Sequence, residues 1–91
     1  MISLNDVIFI DSLPTLDLHG FDRQTASVMI NDFIRDNKIM KNKILVIIHG
    51  VGSGIIKETT KETLLKNKNV IEFKICPFNV GCTLVNIDLT K

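Results

Sequence analysis

The chain has 91 residues, 45% of them hydrophobic and 23% charged, with a formal net charge of +1. That is the size and balance of one folded domain, and it excludes a disordered tail, a collagen-like repeat and a coiled coil. The longest unbroken apolar run, Ile44-Leu45-Val46-Ile47-Ile48, has five residues against the ~20 that a membrane-spanning helix needs, so no membrane partner is expected.

Residues 1–14 hold an apolar cluster, Val7-Ile8-Phe9-Ile10, closed by Asp11-Ser12-Leu13-Pro14; the proline favours a break there, and the segment reads as an N-terminal arm ahead of a domain over 15–91. The opening Met1-Ile2-Ser3-Leu4-Asn5-Asp6 lacks the basic flank and long apolar core of a secretory signal, which makes the cytoplasm the expected location. Leu16-Asp17-Leu18 alternates apolar and polar before Gly20, the pattern of a short strand with Asp17 and His19 on one face. Asp22 is placed to cap a helix running to about Asn37, whose Ala26, Met29, Ile30, Phe33 and Ile34 form one stripe.

Lys43 to Ile48 is a β-branched run of the kind covered on both faces of a sheet. It leads directly into His49-Gly50-Val51-Gly52-Ser53-Gly54 and then a helical pattern over 55–66, with Ile55, Ile56, Thr59, Thr60, Thr63 and Leu64 on one side. Val70–Ile75 alternates, Pro77–Gly81 turns the chain, and Cys82–Leu89 alternates again with Thr83, Val85, Ile87 and Leu89 on one face. The order β-α-β-α-β-β predicts an α/β two-layer sandwich, two helices on a four-stranded mixed sheet with right-handed first crossovers. Cys76 and Cys82 can form at most one bridge and are expected as reduced core residues.

The net charge hides a polarity. Residues 1–37 carry six Asp against two Arg, net −4, and residues 38–91 carry nine Lys against three Glu and one Asp, net +5. The basic half is the part suited to a polyanion. Within it, glycines 50, 52 and 54 permit close backbone approach, and the first amides of the following helix present donors at the positive end of its dipole. The spacing G-x-G-x-G is neither the dinucleotide fingerprint nor a P-loop, which leaves a phosphate cradle or simply a tight strand-to-helix turn. His49 ends the central strand, where open α/β sheets form their ligand crevices, and His19 ends another strand two residues from Asp17. A carboxylate can orient an imidazole, and two imidazoles can supply an acid and a base. If the two strands are neighbours, Asp17, His19, His49 and the loop form one site, with Lys57 and Lys61 along the second helix. Those lysines also fit an ordinary i,i+4 face with Glu58 and Glu62.

Asp17, His19 and His49 have zinc-ligand chemistry but not the short regular spacing of zinc motifs, so no metal site is expected. Ser53 lacks the glycine two residues before it that a nucleophile elbow carries. Phe33 and Phe73 fall on core stripes, Phe9, Phe21 and Phe78 in the arm or loops, and the absence of Trp and Tyr argues against extensive base stacking.

Leu16-Asp17-Leu18-His19-Gly20, Ile48-His49-Gly50-Val51-Gly52-Ser53-Gly54 and Gly81-Cys82-Thr83-Leu84-Val85 together resemble the three signature segments of the Smr domain, the small MutS-related domain, over residues 15–89. The resemblance implies a sandwich similar to the C-terminal domain of translation initiation factor three. It also implies a nucleic-acid endonuclease or binding activity, since family members occur fused to mismatch-repair-like ATPases and in proteins that cut messenger RNA on stalled ribosomes. The family site maps onto Asp17, Leu18 and His19, and onto His49, Gly50 and Gly52; the last segment departs from the family in its thinner glycine content. On this basis the expected function is phosphodiester cleavage of RNA, or nicking of DNA, in ribosome rescue or DNA repair. Asp17, His19 and His49 are its catalytic candidates, and Gly50, Gly52, Ser53, Gly54, Lys57 and Lys61 its phosphate-binding candidates. RNA carries its own 2′-OH nucleophile, so no cofactor is required, whereas DNA would call for a divalent ion such as Mg²⁺. Targeting is expected from a partner or the ribosome. The alternatives are a non-catalytic nucleic-acid-binding or ribosome-binding module, which would grip phosphates in a salt-dependent way without scission, and a small-molecule phosphate-binding enzyme, which a mononucleotide but not an oligonucleotide would stabilise.

Overall fold

The computed structural model describes residues 12–52, 54–77 and 79–90; most of the N-terminal arm, Ser53 and Phe78 lie outside that range. The elements run β1 (Thr15–Asp17), α1 (Arg23–Ile39), β2 (Ile44–Ile48), α2 (Ile55–Lys66), β3 (Val70–Cys76) and β4 (Asn79–Ile87). They form one mixed sheet in the order β1-β2-β4-β3. β1 lies parallel to β2, with Asp17 opposite Ile48, and β4 lies antiparallel to both β2 and β3. Consecutive β2 and β3 are therefore separated by β4, which fills the gap after the α2 crossover.

Pleating sorts the central strands into two faces. Leu45 and Ile47 of β2 join Val85 and Ile87 of β4 under both helices, meeting Ala26, Ile30 and Ile34 of α1 and Leu64 of α2 in the main core. The opposite face carries Ile44, Val46, Cys76, Cys82 and Leu84, with Leu13 and Ile48 packed on it. Burying each such aliphatic side chain is worth about 1.5–3 kcal/mol. This two-faced burial is why β2 reads as a continuous apolar run, and both helices on one face make the two-layer sandwich that the sequence predicts.

Helix α1 starts where Asp22 Oδ1 accepts the Thr25 N–H at 2.8 Å, and ends two residues past the expected Asn37. Its last turn is closed by Lys41, at φ 63°. The Asn42 N–H reaches Asn37 O at 2.9 Å and the Lys41 N–H reaches Lys38 O at 3.1 Å, the paired bonds of a Schellman ending with lysine in the usual glycine place. The helices are tied to each other by Thr63 Oγ1–H on Ser27 Oγ at 3.0 Å and by Asn67 on Asn31 at 2.9 Å.

Three expectations are corrected. β4 begins at Asn79 rather than Cys82, because Cys76 pairs with Asn79 through an irregularity in the ladder and the connecting turn shrinks to two residues. It stops at Ile87, where Asp88 Oδ1 captures the N–H and hydroxyl of Thr90 and turns the chain out of the ladder. Cys76 and Cys82 are buried core residues but are not free thiols: a disulfide with a Cα–Cα distance of 5.6 Å joins them. Third, Ile55 is not part of the α2 core stripe; it is exposed at the helix start.

Candidate functional site

The parallel pairing of β1 and β2 brings both histidine-bearing strand ends to the same edge. Leu18 N–H bonds Ile48 O at 2.8 Å, so residues 19 and 49 leave the sheet side by side. The cavity between them, about 440 Å³, is lined by His19, Gly20, Phe21, His49, Gly50, Gly52 and the first turn of α2 through Lys57.

Asp17 and His19 form a tight local pair. Asp17 Oδ1 accepts the His19 backbone N–H at 2.9 Å and lies 2.6 Å from His19 Nδ1. The backbone N–H of His19, and then its ring, hold the Asp17 carboxyl below its ordinary pKa. An ionised Asp17 accepts only, so Nδ1 carries the proton and Nε2 is left as the working nitrogen. That nitrogen stands over the glycine loop: a Cβ on Gly50 would lie 3.5 Å from it. Gly50 also has φ +79°, a conformation that side chains other than glycine adopt only at a cost.

His49 is different. It is buried, its Nδ1 lies 3.0 Å from Gly50 O and its Nε2 lies 2.9 Å from Thr83 Oγ1. A carbonyl only accepts, so Nδ1–H donates to Gly50 O and, in neutral His49, Nε2 accepts from the Thr83 hydroxyl. The imidazole thus acts as a strut between the glycine loop and β4. A second strut is Gly81 O, which accepts the N–H of both His49 and Gly50 at 2.9 Å. Gly81 is close enough to the loop that a Cβ there would sit 3.5 Å from Gly50 Cα and 3.1 Å from Asn79 Oδ1.

Helix α2 begins at Gly54, φ +84°, without a side-chain cap. Its opening backbone N–H groups have no intrahelical acceptor, and Ile55, Ile56 and Lys57 line the cavity. Gly50, Gly52, Gly54 and Lys57 are therefore assembled around it, Ser53 is not described, and Lys61 opens instead into an adjoining cavity on the far side of Lys57. Asp17 stands behind His19, and its Oδ1 already takes two hydrogen bonds. Among the described residues no group of three or more His, Cys, Asp or Glu is arranged to hold a metal ion. No helix among the described residues is long and apolar enough to cross a membrane.

Two contributors were not among the site candidates, although both lie in the third signature segment, Gly81-Cys82-Thr83-Leu84-Val85. Thr83 carried a further signal, a hydroxyl on a strand face otherwise made of Val85, Ile87 and Leu89, whereas the part played by Gly81 O is that of a carbonyl, which every residue has.

The sequence profile described as the Smr domain matches residues 16–88. The chain belongs to the Smr domain family. Similar curated proteins include endonuclease MutS2 of Streptococcus suis, 38% identical over 74 residues, and endonuclease MutS2 of Lactococcus lactis, 30% identical over 77 residues. These alignments take in 77% and 84% of the chain but only 9% and 10% of those relatives, so the chain spans about a tenth of their length. The fold is that of the Smr domain of Thermus thermophilus MutS2, with a TM-score of 0.81 at 23% identity over 84% of this chain and 99% of that one. YdaL, a stand-alone small MutS-related protein from Escherichia coli, superposes with a TM-score of 0.75 at 18% identity over 80% of this chain and 63% of that one. This Smr domain thus keeps the family's α/β sandwich, with its D-L-H and H-G-x-G segments side by side at one sheet edge.

Proposed function

We propose that this chain is a nucleic-acid endonuclease that cleaves RNA phosphodiesters at the His19–Gly50 cavity. The observation that carries this reading is the pairing of Asp17 with His19 Nδ1, which leaves Nε2 poised above a glycine loop at a helix N-terminus. Membership of a family with relatives named endonucleases supports it.

In this mechanism the loop amides and Lys57 hold the scissile phosphate and stabilise the charge that develops on its oxygens. His19 Nε2 removes the proton of the 2′-OH. The 2′-oxygen then forms a bond to phosphorus as the bond to the 5′-oxygen breaks, and the leaving oxygen takes a proton from water, giving a cyclic phosphate and a 5′-hydroxyl. Asp17 stabilises the imidazolium and fixes its tautomer. His49, with both ring nitrogens engaged, keeps the loop in place and does not shuttle protons. This route uses no metal, and DNA, lacking the 2′-OH, is not its substrate. Action on ribosome-associated RNA is the setting in which such chemistry fits.

The test is end-labelled single-stranded RNA and matched DNA, incubated with magnesium or with chelator beside His19→Ala and Asp17→Asn/His19→Ala. RNA cleavage in chelator that ends in a cyclic phosphate, and that is lost in both variants and on 2′-deoxy substitution at the cut, supports the mechanism. Salt-dependent binding without scission, unchanged in the variants, would instead make this a binding module.

A further inference from the structure

A second cavity, about 300 Å³, adjoins the first. It lies between α2 and the β3–β4 ladder and is lined by Lys57, Glu58, Lys61, Phe73, Lys74, Ile75 and Thr83. Lys57 belongs to both cavities, and Thr83 forms a wall of this one while its hydroxyl bonds His49, which lines the other. The two spaces are therefore partitioned by one lysine and one threonine–histidine pair.

The lining has two chemical characters. Ile75 pairs with Thr83 and Phe73 with Val85 across the ladder, so both side chains stand on the helix face of the sheet. There Phe73 is half-buried on the core edge and Ile75 is exposed. Above them α2 supplies Lys57 and Lys61, one turn apart, against one carboxylate, Glu58. An apolar shelf with an aromatic edge beneath cations suits a flat heterocycle carrying a phosphate. The volume, about 300 Å³, is at the lower limit of small-ligand pockets and enough for one base.

We infer that this second cavity binds the base and outer phosphate of the nucleotide next to the scissile bond, which makes single-stranded nucleic acid the ligand of the site. The base rests on Phe73 and Ile75, Lys61 meets the outer phosphate, and Lys57 bridges to the scissile phosphate. This rests on the endonuclease reading for its direction along the strand, but the binding itself does not need cleavage. A duplex would have to unstack a base to use it, whereas a single strand presents one freely. One platform of this kind agrees with the lack of Trp and Tyr, which argues against extensive stacking only.

The chain has no Trp or Tyr, so Ile75→Trp places a sole emitter on the shelf. Titration with a single-stranded RNA hexanucleotide is expected to quench it, matched duplex to leave it bright, and Lys61→Gln to weaken the quenching affinity several-fold. Ile75→Asp, which puts a carboxylate on the shelf beside the phosphates, should weaken binding several-fold in a filter-binding assay. In the unsubstituted chain, amide shifts of residues 73–75 on adding the hexanucleotide give a readout free of the tryptophan. The outcomes separate the two proposals. Quenching and shifts without any strand scission would sustain the cavity and sink the catalytic site. RNA cleavage with no quenching, no shifts and unchanged kcat/KM in Lys61→Gln would overturn the cavity alone, as would equal quenching by duplex.

Discussion

Thr83→Val tests the strut that joins the sheet to the glycine loop. The substitution keeps the branched shape and removes only the hydroxyl that bonds His49 Nε2 at 2.9 Å. His49 and Thr83 are both buried, 7% and 4% exposed, so water does not replace the lost partner without opening the loop. Leaving one buried polar nitrogen unpaired costs about 1–3 kcal/mol. In a domain of this size each kcal/mol moves Tm by about 4–8 °C, so the middle of that range predicts a fall of about 8–16 °C. The assay is thermal and urea unfolding followed by circular dichroism. Imidazole NMR accompanies it, and should show His49 as the Nδ1–H tautomer in the parent. Thr83→Ser, which keeps the hydroxyl and loses a methyl worth about 0.8 kcal/mol, should recover most of the stability and the loop. A Thr83→Val protein within about 0.5 kcal/mol of the parent, the ordinary scatter of neutral substitutions, would refute the strut, and a Thr83→Ser protein as unstable as Thr83→Val would show that packing and not the hydroxyl matters.

Other consequences follow from the same geometry. Asp17 has a folded-state pKa below its ordinary 3.8, so its link to His19 contributes stability that is present above that value and is lost as pH falls through the lower folded one. The stability gap between the parent and Asp17→Asn should therefore close in acid titrations below about pH 4; a gap that widened toward acid would reverse the assignment. Gly50→Ala and Gly54→Ala face a similar left-handed penalty, about 1–2 kcal/mol each, but only the former puts a methyl 3.5 Å from His19 Nε2. Chemical denaturation should find the two variants alike, while RNA cleavage should drop further in Gly50→Ala. Reducing the Cys76–Cys82 bond, which closes a loop of six-residue separation, should cost about 2 kcal/mol by loop entropy and speed hydrogen exchange at the His49 and Gly50 amides, whose acceptor is Gly81 just before Cys82. Unaltered exchange in reductant would show that the loop does not depend on the bridge.

The periodicities alone determined the element types and their order, because burial on one face of a helix or on both faces of a central strand leaves a direct imprint on residue spacing. They also located the working end of the molecule. Asp17-Leu18-His19 and His49-Gly50 end two strands joined by one helix, and such a unit pairs its strands in parallel and delivers both ends to one edge. The tertiary structure decided what each residue there does. Both histidines were catalytic candidates in the sequence, yet His19 keeps an exposed ring nitrogen over Gly50 while His49 is locked between Gly50 O and Thr83. That difference arises from β4 inserting between β2 and β3, which sets Thr83 and Gly81 against the loop from more than thirty residues away. The same insertion brings Phe73 and Ile75 beside Lys57 and Lys61. Cross-strand register of this kind is a property of which strands are neighbours, and local spacing carries no record of it.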